Sequence, residues 1–484
     1  MLGCVAPGRN SAPAGADLAI VHGTVVDVQK GRLLTDQTIL IDDNRIQAVG
    51  SSANLRVPSG ARVVDATGKY VIPGLWDMHV HLNLTPFSAE IDLPLLVANG
   101  VTGVREMVSD CPAWSWLRKV TGVDCLERLR TWQREIAAGD RIGPRILALG
   151  SWIVSGRRSL PESAPAFFAA ETAAQGRELA RHDAAQGVDF VKIHDGISRE
   201  GFFALVEEAR RLGLDAYGHP PLAISAIDAS EAGQRSFEHA NVFLFNCFPG
   251  ADEFRRASAE LDANTSTQWR RRMVDDYDPS ICQGVFRVLA ANGTGYVPTH
   301  VTRRFDASVE DSNYRNDPRS KYVPRAQWEN WNDDADGTIE ADASSAGRKT
   351  RMDYYKKGLE ITGAAHKAGV NVMLGTDSGD SYVFPGFAVH DELLELVKAG
   401  LTPAQALRSA TWNSASFLGL TDEFGSVRAG NMADIVLLDA DPLADIANTR
   451  RISAVVLNGR YLDRAALDQL LSEAERAAKG DGGN

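Results

Sequence analysis

His79 and His81 stand two residues apart in Val71-Ile-Pro-Gly-Leu-Trp-Asp-Met-His-Val-His-Leu82, at the end of an apolar run bounded by Pro73 and Gly74. On a β-strand, residues i and i+2 point to one face, so both imidazoles can reach a single metal ion. A lone H-x-H pair is a weak signal, because two solvated histidines at a strand end have the same spacing. Lys192, His219, His239 and Asp377 also lie in or at the ends of short apolar runs. These residues need a frame that brings distant strand ends together.

The sequence supplies such a frame. Residues 17–74 read as short strands separated by Gly, Asp and Asn, and the same texture returns over 422–465. Both ends together predict one small β-sandwich. Between them, over 75–421, short apolar strands alternate with helical stretches, the pattern of parallel β/α units. The strands are expected near Gly74–His79, Gly103–Glu106, Arg145–Leu149, Phe190–Ile193, Leu214–Tyr217, Ser236–Glu238, Gly295–Pro298 and Val370–Gly375. Eight such units predict an α/β fold, a TIM (β/α)8 barrel, whose chemistry sits at the C-terminal strand ends. His79 and His81 then end strand 1, His219 strand 5, His239 strand 6 and Asp377 strand 8, with Lys192 in strand 4. Two long charged connections, 246–280 and 303–349, emerge on that face and read as lid insertions. Residues 466–484 read as a terminal helix and tail.

With these residues in place, the chain resembles the amidohydrolase superfamily. The likeness is carried by Pro73-Gly-Leu-Trp-Asp-Met-His-Val-His81, Asp189-Phe-Val-Lys-Ile193, His219 with Glu238-His239, and Gly375-Thr-Asp-Ser378. It continues through Ala410-Thr-Trp-Asn413 and Gly425-Ser-Val-Arg-Ala-Gly-Asn-Met-Ala-Asp434. The resemblance implies two divalent ions, zinc first. His79, His81 and Asp377 would hold the more buried ion, and His219 and His239 the second. Lys192, carboxylated by carbon dioxide to a carbamate, would bridge them. A bridging hydroxide would attack the substrate, with Asp377 as general base and then acid. Deaminases of the superfamily carry a glutamate three residues after the strand-5 histidine. This chain has Leu222 there, which disfavours deamination. The pattern is most similar to the imidazolonepropionase-related and prolidase-like branch, which implies hydrolysis of an amide C–N bond in a dipeptide, an N-acyl amino acid or an aromatic amide. The alternatives are an ester, lactone or carbamate hydrolase at the same site, or a catalytically silent binding protein.

Relatives often carry His-Ala-Tyr or His-Ala-His at strand 5, where this chain has His219-Pro-Pro221, so a carbonyl donor is missing. Tyr217 or the lid residue Tyr322 is the expected substitute. His194 alternates with Lys192 and shares its direction, and His300 follows strand 7. Arg157 and Arg158 follow strand 3, and Arg303 and Arg304 follow strand 7, so one of them could clamp a substrate carboxylate. Trp114, Trp116, Trp152 and Phe248 suit an apolar pocket or core packing.

Formal net charge is −12 with no long basic run, which argues against nucleic acid as a partner. A small-molecule amide is the expected substrate, and self-association is compatible with this composition. No apolar stretch approaches the ~20 residues of a membrane span. None of the five cysteines forms a C-x-x-C pair, so a thiolate zinc site is not expected. Met1-Leu-Gly-Cys4 resembles the tail of a bacterial lipoprotein signal, with Cys4 lipidated and residues 1–16 as a tether. That reading predicts a periplasmic or cell-surface protein, with local disulfides Cys111–Cys125 and Cys247–Cys282. The alternative is a cytoplasmic protein with free thiols.

Overall fold

The computed structural model describes residues 15–83, 86–109, 111, 124–160, 162, 164–258 and 263–480. Cys4, Trp114 and Trp116 lie outside them.

Both ends of the chain contribute to one mixed sheet of eight strands. Its members are β1 (Leu18–Asp27), β2 (Arg32–Asp42), β3 (Arg45–Ser51), β4 (Arg62–Asp65), β5 (Tyr70–Pro73), β14 (Ile435–Leu438), β15 (Ile452–Leu457) and β16 (Arg460–Asp463). The order is β16-β15-β14-β5-β1-β2-β3, with β4 alongside β1. This single ladder stands where the sequence suggests a sandwich. The reason is the antiparallel pairing of β5 with β14, Val71 opposite Leu437, which joins the two ends without a break. Alternation then gives the sheet two apolar faces. Ile20, Ile39, Val71, Ile435 and Val456 close a small core of their own, while Ile72, Val436 and Val455 pack on the main core.

That main core belongs to a TIM-barrel-like α/β body. Its parallel strands are β6 (Leu75–Val80), β7 (Val101–Glu106), β8 (Arg145–Leu149), β9 (Phe190–Ile193), β10 (Asp215–Gly218), β11 (Gln234–Glu238), β12 (Gly295–Val297) and β13 (Asn371–Val372). They fall into two sheets, β6-β7-β8 and β13-β12-β11-β10-β9, not one closed ladder. Isolated backbone bonds cross both seams. Asp189 N–H donates to Leu149 and Ser151 N–H to Phe190, while Met78 N–H donates to Leu374 and His81 N–H to Ser378, each at 2.8–2.9 Å. Strands β6 and β9 are buried along their whole length, as expected for a sheet covered on both faces.

Local signals start and stop the covering helices. Thr172 and Gln175 form a capping box for Ala173–Gln186, which ends at left-handed Gly187. The insertions are largely helical. The first holds Ala251–Ala257 and Ala263–Asp275, and the second includes Arg325–Ala341. Phe305, Trp331, Tyr382 and Phe384 pack the second insertion into an aromatic cluster. Both cysteine pairs are disulfides, Cys111–Cys125 and Cys247–Cys282. The terminal helix runs over Arg464–Gly480. No helix among the described residues is long and apolar enough to cross a membrane.

Candidate active site

The C-terminal strand ends gather the imidazoles into one row. Ring centroids lie 5.2 Å apart for His79 and His81, 4.9 Å for His79 and His239, 4.4 Å for His239 and His219, and 4.3 Å for His219 and His194. Asp377 closes on this row. Its Oδ1 is 3.0 Å from His81 Nε2 and 3.3 Å from His79 Nε2, and its Oδ2 is 3.5 Å from His239 Nδ1. Donor atoms of His79, His239 and Asp377 lie within 4.8 Å of one another, close enough to share one metal ion. Lys192, on β9, points its Nζ to 3.4 Å from His79 Nε2.

The backbone is bent to make this approach. His239, Thr299 and Asp377 are non-glycine residues at φ 76°, 46° and 65°. Such left-handed positions cost on the order of 1–3 kcal/mol each and persist where surrounding contacts impose them. Here those contacts are visible. Asp377 N–H donates to the His79 carbonyl at 2.8 Å. Thr299 Oγ1 lies 2.9 Å from His239 Nδ1. Asp77 accepts from the Thr376 N–H and hydroxyl at 2.9 and 2.6 Å. Gly375 follows from the same crowding, since a Cβ there would lie 2.4 Å from Val297 and 2.9 Å from the His79 Cβ.

Beneath the row is a buried ionic layer. Glu238 Oε2 is 2.9 Å from His79 Nδ1. Arg105 Nη2 donates to both Glu238 oxygens at 2.8 and 3.0 Å, and Ser236 Oγ donates to Oε1 at 2.5 Å. Burial alone would raise the Glu238 carboxyl, but the Arg105 charge and the His79 bond bring it down to about 2. With Nδ1 engaged there, His79 presents Nε2 to Lys192 and Asp377. Glu106 is buried near His81 and Lys192 and accepts the Leu82 and Val108 N–H groups. Burial pushes it up to about 7 against the pull of His81.

Burial also pushes Lys192 down to about 8, against the attraction of Glu238 and Asp377. Burial holds His219 and His239 well below 6.5, in His239 against the attraction of Asp377. Burial opposes the ionised Asp377, yet His79, His81 and His239 hold it well below the usual carboxylate range. The donor set fits divalent cations. Imidazoles and one carboxylate face each other, and the buried Nδ1 of His219 has no hydrogen-bond partner among the described residues. Such ligands suit zinc and neighbouring transition ions.

Above the row opens a cavity of about 690 Å³, on which His79, His81, Lys192, His219, His239 and Asp377 all border. Of the expected substrate contacts, His194 and Arg303 line it. His194 lies 2.8 Å from Asp195, and Arg303 pairs with Asp306 at 2.8 Å. Tyr217 sits in the layer below, its hydroxyl donating to Asp215 at 2.8 Å and its ring 4.6 Å from Phe190. His300 is buried beside Thr362, its Nε2 2.9 Å from the hydroxyl, away from the cavity. Arg157 donates to the Ala164 carbonyl, also outside it. Tyr322 stacks on Phe387 and faces a small separate cleft beside His81. Arg304 is tied to Asp391 and Glu395. Trp152 borders the cavity, and Phe248 packs beneath Trp269.

Reading the sequence alone missed Arg105, Glu106, Glu238, Asp380 and Arg270. A charge inside an apolar strand was the available signal for Arg105 and Glu106, and adjacence to His239 for Glu238. Asp380, pushed up to about 7 by burial and the Asp377 charge, carried no such mark.

Residues 338–462 match the model of the amidohydrolase family. A dihydroorotase of Pelotomaculum thermopropionicum is 44% identical over 72 residues, 15% of this chain and 16% of that protein. The chain thus spans only a small part of that relative. Among solved structures, a prolidase-like protein from Bifidobacterium longum is 24% identical with TM-score 0.64, covering 94% of this chain and 98% of the other. A bottromycin amidohydrolase is 22% identical with TM-score 0.72, covering 95% and 90%. At these identities the structural likeness is one of fold. The family match is thus confined to residues 338–462, and the solved proteins that share the fold include a prolidase-like protein and an amidohydrolase.

Proposed function

We propose that this protein is a metal-dependent hydrolase of amide C–N bonds, acting on a dipeptide, an N-acyl amino acid or an aromatic amide. The observation that carries the reading is the convergence of His79, His239 and Asp377 within 4.8 Å at the mouth of the barrel, with Lys192 buried against His79. His79, His81 and Asp377, together with His219 and His239, would hold two divalent ions, with Lys192 as a shared ligand after conversion to a carbamate. Bound there, the ions supply polarisation of the carbonyl and acidification of water.

The remaining work falls to the chain's own groups. Asp377 is ionised and borders the cavity, so it accepts the proton of the attacking water. It returns that proton to the nitrogen as the C–N bond breaks. The Asp377 N–H, bonded to the His79 carbonyl at 2.8 Å, keeps the residue beside the row for both transfers. The low amine basicity of Lys192 supports the carbamate, because only a neutral amine adds carbon dioxide. Two disulfides support an oxidising compartment and hence export; a lipid at Cys4 belongs to the same proposal.

The test is elemental analysis of protein purified without chelator, followed by a panel of dipeptides, N-acyl amino acids, aromatic amides and matched esters. Two equivalents of a transition metal and turnover of amides support the reading. Faster turnover of the esters moves it to an esterase. Bound metal with an inert panel moves it to a binding protein.

A further inference from the structure

The cavity above the histidine row is apolar on one side and cationic on another. The first insertion supplies Phe254, Trp269 and Met273, Phe245 stands just before it, and Trp152 and Ile153 border the cavity from the segment after β8. Phe254 lies 5.4 Å from Trp269 and 5.8 Å from Phe245, so the wall is a continuous aromatic surface. Cys247–Cys282 ties the two ends of this insertion together. A half-buried indole set among buried phenyl rings and facing a void is a site for a ring or a long apolar group.

Two arginines border the same cavity, and among the described residues they differ in their partners. Asp380 is matched by the Arg303 charge, and Arg303 also holds Asp306. Helix Ala263–Asp275 carries three consecutive arginines. Arg271 pairs with Asp275 and Asp353, and Arg272 with Glu253 and Asp276. Arg270, the one that borders the cavity, has no carboxylate partner among the described residues. Its guanidinium instead lies 5.8 Å from the centre of the Tyr354 ring, which also borders the cavity. Arg303 contributes to the same electrostatic environment of Tyr354. An arginine held against a ring, with no carboxylate partner among the described residues, suits bidentate capture of a planar anion.

We propose that Arg270 is the anion-recognising residue of this site, and that the substrate is an amide carrying both a carboxylate and a bulky aromatic or apolar group. The inference rests on the C–N hydrolase reading. The carboxylate is taken at the cationic rim by Arg270, with Arg303 behind it, while the ring rests on the Trp269–Phe254 wall. The amide is thereby laid across the histidine row. In the reaction the water oxygen bonds to the acyl carbon, the C–N bond breaks, and the nitrogen leaves with the water proton, giving an acid and an amine.

The test compares N-benzoyl-L-phenylalanine with N-benzoyl-2-phenylethylamine, which lacks only the carboxylate, on metal-loaded full-length protein. The expected result is a preference for the carboxylate in kcat/KM. Arg270→Gln should collapse that preference roughly 10- to 100-fold, chiefly through KM, the value of a hydrogen-bonded charge pair. Arg271→Gln, on the same helix but turned to Asp275 and Asp353, should preserve the ratio. Equal use of both probes by the wild type, or an unchanged ratio in Arg270→Gln, overturns the inference and leaves amide hydrolysis standing. Failure to cleave either probe also overturns it. The hydrolase reading falls as well only if the wider amide panel is inert.

Discussion

Arg105 and Glu238 form an ion pair that is completely buried beneath the histidine row, each side chain 0% exposed. Arg105 also donates to the Met78 carbonyl at 2.7 Å and lies 5.0 Å from the centre of the Tyr217 ring. Glu238 passes this constraint upward through His79 Nδ1, which fixes the tautomer and orientation of the imidazole. The pair therefore links the layer beneath the histidine row to the candidate ligand cluster. Glu238→Gln should weaken metal binding about 10- to 100-fold, measured by chelator competition. Arg105→Met strands a buried carboxylate, and denaturant unfolding should report a loss of about 3–5 kcal/mol. Unchanged metal affinity in the glutamine variant would remove the orienting role.

Asp377→Asn keeps the shape of the side chain and removes the proton acceptor. Turnover should fall by roughly 10²- to 10⁴-fold, with the melting temperature little changed. Near-normal kcat would exclude Asp377 as the proton carrier.

Lys192 offers a chemical test with a defined sign. Its amine is held near 8 by burial, so it is mostly protonated at pH 6 and mostly neutral at pH 9. Carbamate formation from bicarbonate should therefore accelerate as pH rises through about 8, read as metal uptake by decarboxylated apoprotein. Lys192→Ala should lose most bound metal and recover part of it with added acetate or formate. Uptake that is independent of both pH and bicarbonate would contradict the carbamate.

Cys247–Cys282 closes a segment with a sequence separation of 35 residues that carries the aromatic wall. Replacing both cysteines by serine should cost about 2–4 kcal/mol, seen as a lower melting temperature. KM for bulky substrates should rise while metal content stays constant. An unchanged melting temperature would mean that packing alone secures this insertion.

The sequence by itself determined the strand ends and their donors. Alternation of apolar runs with helical stretches places all eight parallel strands within a few residues, because buried strands and amphipathic helices have distinct periods. His79, His81, His219, His239 and Asp377 were legible as strand-end donors, and Lys192 as a lysine that an apolar strand does not explain. The two disulfides followed only from the exported reading, and the structure makes both pairs. Tertiary structure decided depth and pairing. A two-residue period says that Tyr217 faces the same side as His219, but not that it lies a layer lower against Asp215 and Phe190. Likewise His300 follows strand 7 in sequence, yet turns into helix packing beside Thr362. Arg105 meets Glu238, and Arg270 meets Tyr354, across 133 and 84 residues. The two terminal segments become one sheet only through β5 and β14. Contacts between distant segments arise from how the elements pack, which local periodicity does not encode, and these contacts orient the candidate ligands and shape the cavity above them.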